Sequence, residues 1–332
     1  MSKEIKKVVS INQSEKSNKA SVDSNKQKTI ETENLKKKKQ EIKSQNKAFI
    51  KSALDIAKRT KSKTLFIYVD AVDDSLINDK LPDDIEVVLV TKNPDYSYSG
   101  DCPRIKDTIK LPRLKLGRMG IIKITILFSL SAKLVEPNDS IVFLVGRADV
   151  PVADTVINLS INEESELLSG HSISEIPMNI DSAVFEQTLN LAIELGSKGK
   201  EGKPIGTIFV LGDDERVMQL SKQMIINPFK GYSPDERNIL NPMLKETMRE
   251  FSSLDGAFVL SGNGEVITAG RYLGAATEDS DIPRGLGSRH IAASGITALT
   301  NAVAIVISES TGDVRIFKSG KVIMTLDKPN HK

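Results

Sequence analysis

At 332 residues the chain exceeds what one hydrophobic core usually serves, so two folded units are expected before any motif is read. A formal net charge of +2, no tryptophan and 5% aromatic residues argue against a base-stacking nucleic-acid surface, and nucleic acid is not expected as a partner. The single cysteine, Cys102, cannot form an intrachain disulfide, and no N-terminal apolar stretch resembles a signal peptide, so a reducing cytoplasm is the expected compartment.

The charge is not spread evenly. Residues 1–45 hold 12 Lys against 6 Asp plus Glu, leaving 34 basic and 38 acidic residues in the remainder. This first stretch is rich in Lys, Ser, Asn, Glu and Gln and has no apolar cluster to offset the entropy of ordering, so a disordered basic arm is expected over 1–45. The lysine run Lys36 to Lys39 reads as a solvated charge run.

From Ala48 onwards the pattern alternates. Ala53, Leu54, Ile56 and Ala57 fall at helical spacing; strands are expected at Leu65 to Val69, Val87 to Val90 and Ile141 to Val145, with a long helix from Met119 to Leu134 between the last two. The apolar run from Ile121 to Val135 is broken by Lys123, Thr125, Ser129, Ser131 and Lys133, which suits a buried amphipathic helix and not a membrane span. Strands alternating with helices imply a mainly parallel sheet joined by right-handed crossovers. The turn Gly146-Arg147-Ala148-Asp149 reads as an ordinary turn.

A second α/β unit is expected over 181–332, after a first over 46–180. It opens with a helix from Val184 to about Leu195 whose stripe is Phe185, Leu189, Ala192 and Ile193. A strand at Ile205 to Leu211, a turn at Gly212-Asp213-Asp214, a helix containing Val217, Leu220 and Met224, and a helix from Asn241-Pro242 to Phe251 follow. One hairpin is expected from Phe258–Ser261 and Val266–Ala269, and another from Ala302–Ser308 and Val314–Lys318. Ser288 is placed as N-cap of a helix from Arg289 to Leu299, with Ile291, Ala292, Gly295, Ile296 and Leu299 as its buried stripe.

Chemistry concentrates around that helix. Asp255 precedes the strand at Phe258, where a carboxylate can bind a divalent cation or accept a hydroxyl proton, and the small Gly256 and Ala257 let a ligand approach the backbone. A helix N-terminus attracts anions by only about 0.3–1 kcal/mol, too little to hold a triphosphate alone. Arg289 in the first turn supplies the missing bidentate phosphate contact, and His290 adds a donor or metal ligand beside it. Ser308-Glu309 ends a strand that can meet the helix, the hydroxyl for phosphate and the carboxylate for a metal or ribose. Neither a P-loop nor a dinucleotide fingerprint occurs, since Pro204 stands where Ser or Thr should be and His290 where a third glycine should be.

Together, Asp255-Gly256-Ala257, Gly287-Ser288-Arg289-His290 and Ser308-Glu309-Ser310-Thr311-Gly312 resemble, in order and spacing, the diadenylate cyclases (DAC domain) in their archaeal form. The resemblance spans about Ala183 to the C-terminus. It implies an N-terminal α/β domain similar to the C-terminal domain of pyruvate kinase, followed by a DAC-type domain with a central mixed sheet flanked by helices.

The function it implies is condensation of two ATP into cyclic di-AMP with release of two pyrophosphates. Each 3′-hydroxyl attacks the α-phosphorus of the other ATP, with Mn²⁺ or Mg²⁺ as cofactor. Two DAC domains must then meet face to face in an obligate homodimer, with room for a higher homo-oligomer. Asp255 would activate the hydroxyl and share the metal with Glu309. ATP would lie against Gly256 and Ala257, with its adenine edge read by the main chain of Leu273. Gly287, Ser288, Arg289 and His290 would hold the phosphates, and Ser308 with Glu309 would complete the phosphate and metal shell.

Many members read Thr-Arg-His-Arg where this chain reads Ser288-Arg289-His290-Ile291. Ile291 lies about 200° round the helix from Arg289 and is expected to pack against the core. The alternative from the binding class is a sensor that binds ATP or a cyclic dinucleotide without turnover.

Overall fold

The structure, a computed structural model, describes residues 34–77, 81–82, 84–100, 102–113, 116–147, 151–161, 180–199, 202–274 and 287–328. Gly285, Leu286, Ala148, Asp149 and residues 1–33 lie outside the described residues, and Gly146 and Arg147, expected in a turn, instead continue the strand that precedes them.

A helix, α1, runs over 34–60. The expected arm is therefore corrected for 34–45, which are helical. The stripe that anchors α1 is Asn46, Ile50, Ala53 and Ala57, all buried at helical spacing. Asn46 adds a latch that propensity cannot foresee: its side chain donates to the carbonyls of Ala71 and Pro151 and accepts from the Ala153 N–H at 2.8 Å.

The first sheet contains β1 (Thr64–Tyr68), β2 (Glu86–Thr91), β3 (Ile105–Lys110), β4 (Ser140–Arg147) and β5 (Val152–Ser160), in the order β3-β2-β1-β4-β5. The first four are parallel, and β5 returns antiparallel to β4. The central strands β1, β2 and β4 are apolar through their middles, at 65–67, 87–90 and 141–145, because both faces are covered there. Leu65, Ile67, Val87, Leu89, Val142 and Leu144 pack towards α1. Their neighbours Phe66, Val88 and Phe143 face helix α2 (Arg118–Ser131) on the other side. Strands β3 and β5 escape a hydrophobic reading because, as edges, they carry polar residues such as Asp107 and Asn158.

Within α2 the polar interruptions are accommodated without a solvent face. Thr125 donates to the Ile121 carbonyl and Ser129 to that of Thr125, so each buried hydroxyl is satisfied by its own helix. Among the described residues no helix is long and apolar enough to cross a membrane.

Helix α3 (Ser182–Ser197), capped by the Asp181 carboxylate on the Ala183 N–H, packs on α2 and opens the second layer. Its expected stripe of Phe185, Leu189, Ala192 and Ile193 is buried. The second sheet takes β6 (Ile208–Leu211), β7 (Ser221–Gln223), β8 (Ala257–Leu260), β9 (Val266–Leu273), β10 (Val303–Ile307), β11 (Val314–Lys318) and β12 (Lys321–Leu326) in the order β12-β11-β10-β6-β8-β9-β7. Only β6 and β8 pair in parallel; the other neighbours are antiparallel, so the sheet is mixed. Helix α5 (Leu244–Phe251) packs beside α3, and α6 (Ser288–Leu299) lies across β10 and β11.

Two expectations fail locally. The helix expected to contain Val217, Leu220 and Met224 is the single turn and a half of α4 (Asp214–Gln219), and the chain then enters β7. Arg271 on β9 forces that exit: it is buried and donates to the carbonyls of Met218 and Ser221, each at 2.7 Å. The stripe expected on α6 is also rotated. Ile291 and Leu299 are 43% and 54% exposed, while His290, Ala293, Ser294 and Thr297 face inward with Gly295 and Ile296. Small residues and satisfied hydroxyls fill this interface because helix and sheet approach closely, so Ile291 does not pack against the core.

Glu186 of α3 gives the fold a pH signature. Burial, then Asp107 on β3 and Asp181, push its carboxyl up to about 7 from its ordinary value near 4.5. A raised folded-state pKa means the stabilising contribution is complete below about pH 4.5 and is lost as pH rises through 7. Glu186→Gln is expected to flatten the fall in melting temperature between pH 5 and pH 8. At the upper pH it should add about 1–2 kcal/mol, after discounting for partial solvent screening. An unchanged slope in thermal melts would contradict this.

Candidate active site

One edge of the second sheet gathers the singled-out residues. Strands β6 and β8 start there, β10 and β9 end there, and α6 begins there because it runs antiparallel to β10. Asp255 thus stands just before β8, Glu309 just after β10, Leu273 at the end of β9, and Gly287-Ser288-Arg289 at the helix start.

Arg289 is the centre of the arrangement. Its Nη1 donates to Glu309 Oε2 at 2.9 Å, and its Nη2 lies 3.9 Å from Asp255 Oδ1, a Coulombic contact too long for a hydrogen bond. Two carboxylates bracket one guanidinium at a helix N-terminus. All three are solvent-accessible: side-chain exposure is 34% for Arg289, 67% for Glu309 and 86% for Asp255.

The helix start differs from expectation. Gly287, in extended conformation, occupies the N-cap position without a side-chain cap, and Ser288 is already the first helical residue. A capping side chain would occupy N–H groups that an anion can use. Both residues are exposed, and a Cβ at Gly287 would meet nothing within 4 Å.

His290 turns the other way. Its ring is 5% exposed and tilted against Phe317, with Nε2 at 3.2 Å from Arg315 Nη1. Arginine only donates, so Nε2 accepts and the ring proton sits on Nδ1, a buried atom with no hydrogen-bond partner among the described residues. Burial, then Arg315, lower its pKa to about 4. A neutral imidazole inside the helix–sheet interface does not share the exposed face of Arg289.

Four further residues have local work to do. Gly256 adopts φ +102°, and a Cβ there would lie 2.7 Å from the Arg271 nitrogen, so it is β9's own backbone that fills the space beside it. Ala257 is wholly buried inside β8. Ser308 is 8% exposed, and its Oγ is engaged with Ser310 and the Thr311 N–H in the turn that follows β10. Leu273 is buried, paired in register with Ser221 of the edge strand β7.

Two contributors were not visible in the motifs. Gly206, just before β6, lies beneath the ion pair: a Cβ there would come within 2.7 Å of Glu309 Cβ and 3.0 Å of Arg289 Nη1. Arg315 joins His290 to Asp313, whose Oδ2 is 3.6 Å away, and so ties the helix to the turn carrying Glu309. A lone Gly before an apolar strand gives no sequence signal, and Arg315 is one residue of an alternating strand.

For a divalent cation, the donors on this edge are the oxygens of Asp255 and Glu309. Among the described residues no group of three or more His, Cys, Asp or Glu converges. Two hard oxygen donors on an open edge fit a Mg²⁺- or Mn²⁺-type ion shared with substrate phosphates, the usual arrangement for ions that keep most of their ligands outside the protein. They do not make an all-protein cage.

A guanidinium, two carboxylates and an uncapped helix start share one edge of the mixed sheet, an arrangement suited to a phosphate-bearing ligand. A family model described as "DisA bacterial checkpoint controller nucleotide-binding" matches residues 194–322. The chain is 38% identical over 211 residues to a diadenylate cyclase of Methanocaldococcus jannaschii, covering 63% of this chain and 67% of the relative. It is 39% identical over 199 residues to a diadenylate cyclase of Haloferax volcanii, covering 60% and 72%. A crystal structure of DacA from Staphylococcus aureus aligns at 21% identity and a TM-score of 0.29, over 42% of this chain and 84% of that one, a likeness that adds nothing to the fold described above. The chain belongs to the diadenylate cyclase family.

Proposed function

We propose that this chain condenses two ATP molecules into cyclic di-AMP and two pyrophosphates. The observation that carries this reading is Arg289, held by Glu309 and facing Asp255 at the uncapped start of α6. In each half-reaction the Asp255 carboxylate takes the proton of a 3′-hydroxyl. The freed oxygen bonds to the α-phosphorus of the other ATP, and the bond to the β-phosphate oxygen breaks, its electrons leaving with pyrophosphate. Arg289 and the α6 amides neutralise charge on the phosphates as this happens, and positioning with such charge stabilisation dominates phosphoryl chemistry. A divalent cation, Mg²⁺ or Mn²⁺, would supply further neutralisation when held by Asp255, Glu309 and the phosphates. His290 would act by seating α6, and the Leu273 main chain by reading the adenine edge.

Exposure supports a face-to-face homodimer. An Asp255 that solvent reaches over 86% of its side chain has no means of excluding water, and a second copy of the same edge would provide it. The two sheets support a division of the chain near residue 181, where Asp181 caps α3. A lone buried cysteine suits a cytoplasmic setting.

Incubation with ATP and Mg²⁺ or Mn²⁺ should yield cyclic di-AMP by mass spectrometry, with specific activity rising as protein concentration rises. Tight ATP binding without product at any concentration would favour the sensor instead. Gly206→Ala should crowd the Arg289–Glu309 pair and, because Glu309 Cβ is fixed to the backbone, displace the turn after β10, lowering kcat/KM for ATP by about tenfold, roughly 1.4 kcal/mol, and lowering the melting temperature with it. Unchanged kinetics would mean the pair does not need its present position.

A further inference from the structure

Away from that edge, a cavity of about 380 Å³ opens between the first sheet and α3. One wall is the chain leaving the carboxyl ends of β2 and β3, the place where open parallel sheets bind ligands: Lys92 follows Thr91, and Leu111, Pro112 and Arg113 follow Lys110. The other wall is α3, with Gln187, Asn190, Glu194 and Lys198, joined by Lys245 from α5. Its size lies within the roughly 300–1,000 Å³ of small-molecule sites.

The charge is one-sided. Four cations, Lys92, Arg113, Lys198 and Lys245, face one carboxylate, Glu194. That carboxylate already accepts from Lys245 at 2.8 Å and Lys198 at 3.2 Å, so it cannot balance the others. Arg113 leans on Asp95 at 3.4 Å, but both side chains are mostly exposed, and a pair of that kind holds weakly enough to exchange for a phosphate. Lys92 is half-buried over the Tyr68 ring, where desolvation holds its pKa below the ordinary lysine range against the opposing pull of the Asp70 carboxylate. A dehydrated cation at a cavity wall favours an anion that replaces its lost water. Asn190 adds a buried Oδ1 with no hydrogen-bond partner among the described residues, an acceptor available to a hydroxyl.

We propose that this interlayer cavity binds a small phosphate-bearing metabolite, its phosphate held by Lys92 and Arg113 on one wall and Lys198 and Lys245 on the other, its hydroxylated body read by Asn190 and Gln187. The site lies at the junction of the two layers and does not depend on the nucleotidyl-transfer reading.

The test uses full-length protein carrying Arg289→Ala, which removes the competing phosphate clamp, with inorganic pyrophosphate as probe in titration calorimetry. Binding that falls steeply with salt is expected, and adding Lys92→Ala and Arg113→Ala should weaken it by about tenfold or more. Lys198→Gln, on the opposite wall, gives an independent loss should the double variant not fold. An affinity that stays within about twofold in these variants, or no measurable binding of pyrophosphate, would overturn the proposal. Neither outcome touches the ATP reaction, whose failure would appear only in product formation by the unmodified chain.

Discussion

Arg289→Ala is expected to lower cyclic di-AMP formation by about a thousandfold while leaving the chain folded, because a single preorganised phosphate-neutralising group commonly carries that much of the barrier. The structural cost should be small. Arg289 pairs with two carboxylates that are 67% and 86% exposed, and ion pairs of that kind contribute about 0–1 kcal/mol. Activity and stability should therefore separate cleanly. The truncation leaves Asp255 and Glu309 facing an incoming triphosphate with no cation between them, so KM for ATP should rise as kcat falls. Arg289→Lys restores the charge but not the planar fork, and is expected to recover only part of the loss. Steady-state kinetics beside thermal melts would check both. A variant that melts as the unmodified chain does and turns over within tenfold of it would remove Arg289 from the chemistry.

Asp255→Asn should be nearly as damaging and differently distributed. The amide keeps the shape of the side chain but cannot take a proton, and loss of a general base costs about 10²–10⁴-fold in kcat. With one negative charge gone from the phosphate edge, ATP binding should hold or tighten, so the effect should fall on kcat and spare KM, the reverse of the emphasis at Arg289. The apparent metal concentration needed for residual activity should rise, since one of the two carboxylate donors becomes a neutral amide oxygen. A parallel rise in KM with kcat unchanged would make Asp255 a binding group only. Above about pH 5 neither variant should reveal a His290 titration, because its buried ring, with a pKa lowered to about 4, stays neutral there.

What could be read from the sequence was what periodicity and turn chemistry encode. Strands β1, β2 and β4 contain unbroken apolar runs, and the hairpins around Gly262–Gly264 and Thr311–Asp313 carry their own turn residues, so both are legible. Strands β3 and β5 did not, since edge position lets Asp107 and Asn158 break the pattern. The α1 residues 34–45 look like a solvated arm because the contacts that hold the helix start only at Gln45 and Asn46 and lie far away in sequence, on Ala71, Pro151 and Ala153.

At the site, Asp255, Arg289 and Glu309 were legible as residue types at suggestive positions, and the sheet brings all three to one edge. The orientation of α6 was not. A helix that buries Ala293, Ser294, Gly295 and Thr297 presents small residues where a stripe reading expects large apolar ones, so that reading places Ile291 in the core and leaves His290 as a phosphate contact, whereas Ile291 is exposed and His290 buried. Gly206 and Arg315 act only through tertiary contact, which no local spacing encodes.

The most direct measurement is a count of products. Purified chain, ATP and Mg²⁺ or Mn²⁺ should give cyclic di-AMP and pyrophosphate in a one-to-two ratio, followed by mass spectrometry and a coupled pyrophosphate assay, with the yield lost in Asp255→Asn. ATP bound but unconverted, or converted to a linear dinucleotide or to ADP, would contradict the assignment of this edge to paired nucleotidyl transfer.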